Sequence, residues 1–340
     1  MSFVIRWKTG RFLITSVMTA TLVLSVLLVS LLAEPASAGS WPGGNGKIAL
    51  WAGMEPDCEI FVVNPDGSGF RQLTDNDVCD HSPDWSADGR KLAIERYDGN
   101  DYEIWVILED GRDDHRVTDN SVSDYDPAWS PDESKIAFTR YDPVGFDVEL
   151  WVINADGTGE QQLTNGYTDY DPEWSPDGST IAFERMGGSI YVINPDGSGL
   201  APVTDGYSPE WLPDGSRIAF DRRGNIYTVK PDGTDEQQVT TGGYYYDPAW
   251  SPEGRKIAFE DAHEEGIWVM NADGTGEKMI AQASDPIEDF EEPDWQPTIA
   301  RPVGGVVTSV NKLQLVAPYL ALVGFVGALT VTFAIRRRKP

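Results

Sequence analysis

Between residues 45 and 299 the apolar positions come in short runs parted by turn residues, and no window of ten or more carries a helical period. Four kinds of run recur in one order. The first ends on a tryptophan, as in Asp171-Pro172-Glu173-Trp174, and closes at a Pro-Asp-Gly turn such as Pro176-Asp177-Gly178 or Pro213-Asp214-Gly215. The second is apolar, as in Lys135-Ile136-Ala137-Phe138 and Arg217-Ile218-Ala219-Phe220. The third is β-branched and aromatic, as in Leu150-Trp151-Val152-Ile153, and leads to a tight turn like Asn194-Pro195-Asp196-Gly197. The fourth is half-polar and ends in threonine, as in Gln161-Gln162-Leu163-Thr164. Each run predicts a short strand.

The unit is used six times. Its tryptophans are Trp85, Trp129, Trp174, Trp211, Trp250 and Trp295, about 37 to 45 residues apart, which fits one frame with loops of different length. Four strands per unit of that size predict a blade of a β-propeller, whose faces are buried only by neighbouring blades. The apolar second strand also occurs six times, at Lys47–Leu50, Lys91–Ile94, Lys135–Phe138, Thr180–Phe183, Arg217–Phe220 and Lys256–Phe259. The two series are out of phase: the chain meets a second strand first and a Trp strand last. The last Trp strand is therefore expected to complete the first blade, closing a ring of six blades without an open edge. The tryptophans are expected to pack between blades.

The Asp-Pro-x-Trp-Ser-Pro-Asp-Gly-x-x-Ile-Ala-Phe unit resembles the repeat of the TolB propeller, and related repeats occur in propellers of the prolyl oligopeptidase type. The resemblance covers roughly residues 45–299. It implies an all-β, six-bladed propeller that binds a protein or ligand. The Gly-His and terminal Trp-Asp of WD repeats are missing. TolB-type proteins also carry an α/β domain before the propeller, for which the stretch from Ala38 to Lys47 leaves no room.

The two ends read differently. Arg6, Lys8 and Arg11 precede an apolar run from Phe12 to Ala33, and Ala36-Ser37-Ala38 offers small residues ahead of Gly39. Residues 1–38 are thus expected to be a signal peptide. After a linker at 300–314, residues 315–335 are uncharged and long enough to cross a hydrocarbon core of about 30 Å. Arg336, Arg337, Arg338 and Lys339 follow in a basic tail at 336–340, which the positive-inside rule keeps in the cytoplasm. The propeller, residues 39–299, is then expected on the outer side of the cell membrane.

Composition sharpens the expected partner. The chain holds 26 Lys/Arg and 55 Asp/Glu; the two ends take 9 and 1 of these, leaving 17 against 54 in residues 39–299. A surface so acidic repels nucleic acid and anionic headgroups and suits a cationic ligand. The two cysteines, Cys58 and Cys79, belong to no other repeat. Cys58 is expected in the loop between the second and third strands of the first blade, and Cys79 in the loop to the next. Those loops share a face, so a disulfide closing about 20 residues and contributing roughly 3 kcal/mol is expected.

Catalytic constellations are scarce. No Gly-x-Ser-x-Gly, Cys-x-x-Cys or phosphate-binding glycine loop occurs. Of three histidines, His115 is set apart on an outer strand, whereas His81 and His263 are expected in loops of neighbouring blades that could share a metal. The Asp-Gly segments lack the downstream glutamate of an EF-hand and read as turns. The informative pattern precedes each Trp. Three residues before it stand Ser82, Asp126, Asp171, Ser208, Asp247 and Glu292; four before it stand His81, Tyr125, Tyr170, Tyr207, Tyr246 and Glu291; five before it, Asp80, Asp124 and Asp169 add carboxylates. These residues are expected to ring one mouth of the central channel, where carboxylates and tyrosines suit Ca²⁺, a basic peptide or a sugar. Each Asp can equally brace the turn entering its strand. The reading is a scaffold that binds an envelope or extracellular protein without catalysis. The alternatives are a metal-dependent glycan hydrolase or lyase and a purely structural envelope role.

Overall fold

The computed structural model of the chain describes residues 43–54, 57–282 and 290–299. Among them lie twenty-four strands in six antiparallel four-stranded sheets, and no helix. Five sheets use consecutive strands: the second blade, for example, is Asp80–Trp85, Lys91–Tyr97, Tyr102–Leu108 and Asp113–Arg116. The first blade is composite, as expected. Phe290–Ile299 enters as its innermost strand beside Gly43–Met54, followed by Asp57–Val63 and Arg71–Gln72. Trp295 stands opposite Ile48. Gln296 strengthens the join, because its Oε1 accepts the Lys47 N–H at 3.2 Å and its Nε2 donates to Gly89 O at 2.7 Å. Gly46 lies so close to Gln296 that a Cβ there would overlap its backbone.

The Ile-Ala-Phe runs explain the packing. Phe138, Phe183, Phe220 and Phe259 are fully buried. The alanine before each faces the next blade, where it receives that blade's tryptophan: Ala137 with Trp174, Ala182 with Trp211, Ala219 with Trp250 and Ala258 with Trp295. Ala93 and Ala49 serve Trp129 and Trp85 in the same way. A small residue under a large one is how close-packed layers interdigitate. All six tryptophans are therefore core between blades.

The outer strands are short, only two residues at Gln161–Gln162 and Gln237–Gln238. The repeated threonine compensates. The hydroxyls of Thr74, Thr118, Thr164 and Thr240 accept the N–H of Ile60, Ile104, Leu150 and Ile226, each at 2.9 Å, and so continue the ladder beyond the strand. The signal peptide read at 1–38 and the linker, membrane helix and tail read at 300–340 lie outside the described residues. Among the described residues, no helix is long and apolar enough to cross a membrane.

Candidate functional site

Every innermost strand carries the same irregularity. The residue three before each tryptophan has a left-handed backbone: Ser82, Asp126, Asp171, Ser208, Asp247 and Glu292 have φ between 46° and 50°. A proline follows each one. Register slips by one residue there: His81 pairs with Glu95 and Asp84 with Ala93, so three steps on one strand match two on the other. This β-bulge turns the left-handed residue out of the sheet and into the channel. It also inverts the alternation. The position five before the tryptophan now shares the tryptophan's face, Asp80 standing opposite Arg96 and Trp85 opposite Leu92.

That inversion corrects one expectation. Asp80, Asp124 and Asp169 do not ring the mouth. Each is fully buried and paired with an arginine of the second strand: Arg96 Nε to Asp80 at 2.6 Å, Arg140 to Asp124 at 2.6 Å and Arg185 to Asp169 at 2.7 Å. They are structural ion pairs.

Asp126, Asp171, Asp247 and Glu292 do come together, lining one cavity of about 170 Å³ with Ser82 and Ser208. A second ring lies deeper, one residue before each tryptophan: Asp84, Glu173, Glu210 and Asp294, completed by Ala249. The lining thus holds eight carboxyl groups and no lysine or arginine. Proline rings separate the two layers, and beyond the deeper ring the channel narrows to about 30 Å³ between the tryptophans.

These carboxyls are partly accessible, but only to the lumen; protein encloses them on every other side. Desolvation therefore dominates their titration, with mutual repulsion second. Asp126 is pushed up to about 7 by burial and by Glu95. Asp171 is held well above the usual range by burial, then by Asp126, Glu292 and Asp247. In the deeper ring burial pushes Asp294 up to about 7, and burial with neighbouring acids raises Asp84, Glu173 and Glu210 well above the usual range. Behind the rings, Glu184 and Asp221 on the second strands reach about 7 for the same reason.

Some of these groups also brace the ring of blades, though not the turn of their own strand. Asp294 accepts the Trp85 N–H and Asp84 the Trp129 N–H, both at 2.6 Å and both from the following blade. Glu95 accepts the N–H of the left-handed Asp126 at 3.2 Å, and Thr139 donates to its carboxylate at 3.0 Å. Ser208 donates to Asp247 at 2.6 Å, and Trp51 Nε1 to Glu292 at 3.1 Å. Among the described residues no side-chain hydrogen bond holds the carboxyls of Asp171 and Glu173.

The tyrosines are not part of the ring itself. Tyr125 and Tyr170 line a side cavity of about 380 Å³ that opens beside the mouth, with Trp51, His81, Glu95, Asp126 and Glu292. Tyr207 is largely exposed, its ring against Gly188, and Tyr246 is half-buried. His81 and His263 are not brought together. His81 lies within the strand Asp80–Trp85 of the second blade, between Trp51 and Tyr102, whereas His263 stacks on Tyr244 in the sixth. The composite first blade stands between them. His115 lies on the outer strand Asp113–Arg116, where its Nε2–H donates to Ala155 O at 2.7 Å. Cys58 lies inside the strand Asp57–Val63 and not in a loop; Cys79 leads into Asp80–Trp85, and the two are joined, their Cα atoms 4.4 Å apart.

Comparison with known proteins bears on the fold. A family model described as the TolB beta propeller domain matches residues 52–299. Two curated proteins match over short stretches: dipeptidyl-peptidase 5 of Porphyromonas gingivalis, 39% identical over 62 residues, and a TolB homolog of Chlorobium luteolum, 40% identical over 50 residues. The chain spans 9% and 12% of their lengths. Among solved structures, TolB from Acinetobacter baumannii superposes with a TM-score of 0.63 at 18% identity, over 74% of this chain and 67% of that one. An oligogalacturonate lyase from Vibrio parahaemolyticus gives 0.51 at 16% identity, over 72% and 77%.

Proposed function

Since the chain belongs to the TolB β-propeller family, we propose that it is a binding scaffold without catalysis, which takes a cationic ligand or a basic segment of a partner protein into its acidic channel. One observation carries this reading: eight carboxyl groups line the channel and no cation among the lining residues answers them. Burial and mutual repulsion favour the protonated form of these groups. A positive ligand removes both penalties at once, because it supplies the missing counter-charge where the dielectric is low. The leader, the apolar stretch at 315–335 and the basic tail support a place on the outer face of a membrane.

The test is calorimetry with Ca²⁺ and with a lysine-rich peptide, on the wild type and on Asp126→Asn with Asp171→Asn. The double variant should lose binding at least tenfold while remaining folded, and wild-type binding should weaken with added salt. Unchanged affinity in the folded double variant would sink the reading. Catalysis is the second reading, favoured by carboxyls such as Asp126 and Glu184 titrating near 7, where a general acid or base works best. Turnover of an acidic or neutral glycan that stops with EDTA would select it.

A further inference from the structure

Ligand atoms of Cys58, Cys79 and His81 lie within 4.8 Å of one another, apart from the carboxyl rings; both cysteines are buried, and His81 lines the side cavity. His81 Nε2 is 3.0 Å from Cys58 Sγ and 3.3 Å from Cys79 Sγ. On its other side, His81 Nδ1 is 3.1 Å from Glu95 Oε1. A carboxylate only accepts, so it fixes the imidazole proton on Nδ1 and leaves the Nε2 lone pair aimed at two sulfurs. Neither sulfur of a disulfide has a proton to give. The ring cannot turn away, because Trp51 meets it edge-on at 4.3 Å between centroids and Tyr102 stacks at 5.7 Å. An imidazole oriented by a carboxylate and facing two cysteines is the arrangement of a soft metal's ligands with their outer support.

We propose that these residues form a redox-gated zinc site: a disulfide when oxidised, and when reduced a Cys₂His set for one Zn²⁺. Cys58 and Cys79 supply two thiolates, His81 Nε2 the third ligand, and Glu95 holds His81 in its ligating tautomer. Three protein ligands leave the fourth position of a tetrahedral zinc to a water. In the reducing step a phosphine gives two electrons to the S–S bond and takes the oxygen of one water; that water's two protons end on the two sulfurs. Zn²⁺ then displaces both thiol protons as the two Zn–S bonds form. The sequence supports the assignment in one respect: Cys58, Cys79 and His81 are each particular to the first two blades, and none recurs at its equivalent position.

The experiment uses the full propeller-bearing chain, oxidised or reduced with a phosphine that is then removed without air. Zn²⁺ uptake is measured by competition with a chromogenic chelator, and Co²⁺ replaces zinc for spectroscopy. The reduced protein should take up one Zn²⁺ that the oxidised protein does not, and reduced protein with Co²⁺ should show a thiolate-to-metal charge-transfer band. Cys58→Ser with Cys79→Ser should abolish both signals. His81→Ala should weaken zinc at least tenfold, and Glu95→Gln about tenfold. Zinc taken up by the channel carboxyls would be indifferent to reduction and give no such band. Equal uptake by oxidised and reduced protein, or Co²⁺ binding without the band, would overturn the proposal; since both readings use wild-type protein, they hold even if the serine variant fails to fold.

Discussion

A left-handed residue directly before a proline is an uncommon backbone choice, and here it occurs six times on one ring. Aspartate tolerates it better than most residues, which fits Asp126, Asp171 and Asp247. The consequence is a set of carboxyls packed more closely than their charges favour. Asp126 and Asp294 are raised from 3.8 to about 7, so the folded state holds protons that the unfolded chain releases near pH 4. The sign follows by linkage: their contribution to stability is complete below about pH 4 and is lost as pH rises through 7. Exposed turn aspartates such as Asp156 and Asp196, pulled below 3.8 by Thr158 and Ser198, act under pH 4 and leave the higher window alone. Without a bound cation, the melting temperature should therefore fall between pH 5 and pH 8, and Asp126→Asn with Asp294→Asn should flatten that fall; a rising profile in scanning calorimetry would contradict the picture. The outer ring was legible in the sequence because one position per repeat becomes a circle of like groups. The deeper ring was missed although the signal was there: Asp84, Glu173, Glu210 and Asp294 stand next to each Trp, but Ala128 and Ala249 break the series.

At the level of the element, neighbouring blades are pinned in two ways. Three of the four acids that precede a tryptophan accept the backbone N–H of the next blade's tryptophan: Asp294 from Trp85, Asp84 from Trp129 and Glu210 from Trp250. Where alanine stands instead, the next indole donates to its carbonyl: Trp174 to Ala128 at 3.2 Å and Trp295 to Ala249 at 3.0 Å. The indole N–H of Trp85, Trp129 and Trp211 finds no partner among the described residues. Trp174→Phe and Trp211→Phe vacate similar volumes at similar burial, but only the first loses a hydrogen bond. Trp174→Phe should thus cost about 1 kcal/mol more in urea unfolding than Trp211→Phe; equal costs would show that the indole bond contributes nothing. The blades and their number were legible because strand periodicity, turn chemistry and repeat length agreed. The bulge was not, because register depends on the strand opposite, and a slip of one residue moved Asp80, Asp124 and Asp169 from the expected mouth into ion pairs with Arg96, Arg140 and Arg185.

At the level of the whole molecule, closure joins the first described strand to the last, Gly43 standing opposite Ile299 and Ala52 opposite Phe290. Gly43 and Ile299 accordingly lie side by side at one end of this pair of strands. Tension applied between residues 43 and 299 meets the paired strands one rung at a time, as a zipper does. Tension applied between Asn120 and Gly242, in loops after the second and fifth blades, must act across whole blades. In optical-trap stretching, the first pair of attachment points should open the ring at clearly lower force than the second; equal forces would mean that Gln296 and the strand pairing yield together. A tether at one end of the chain never loads this seam, whereas tethers at both ends turn it into a release clasp that mechanical work can open while the other five blades remain intact.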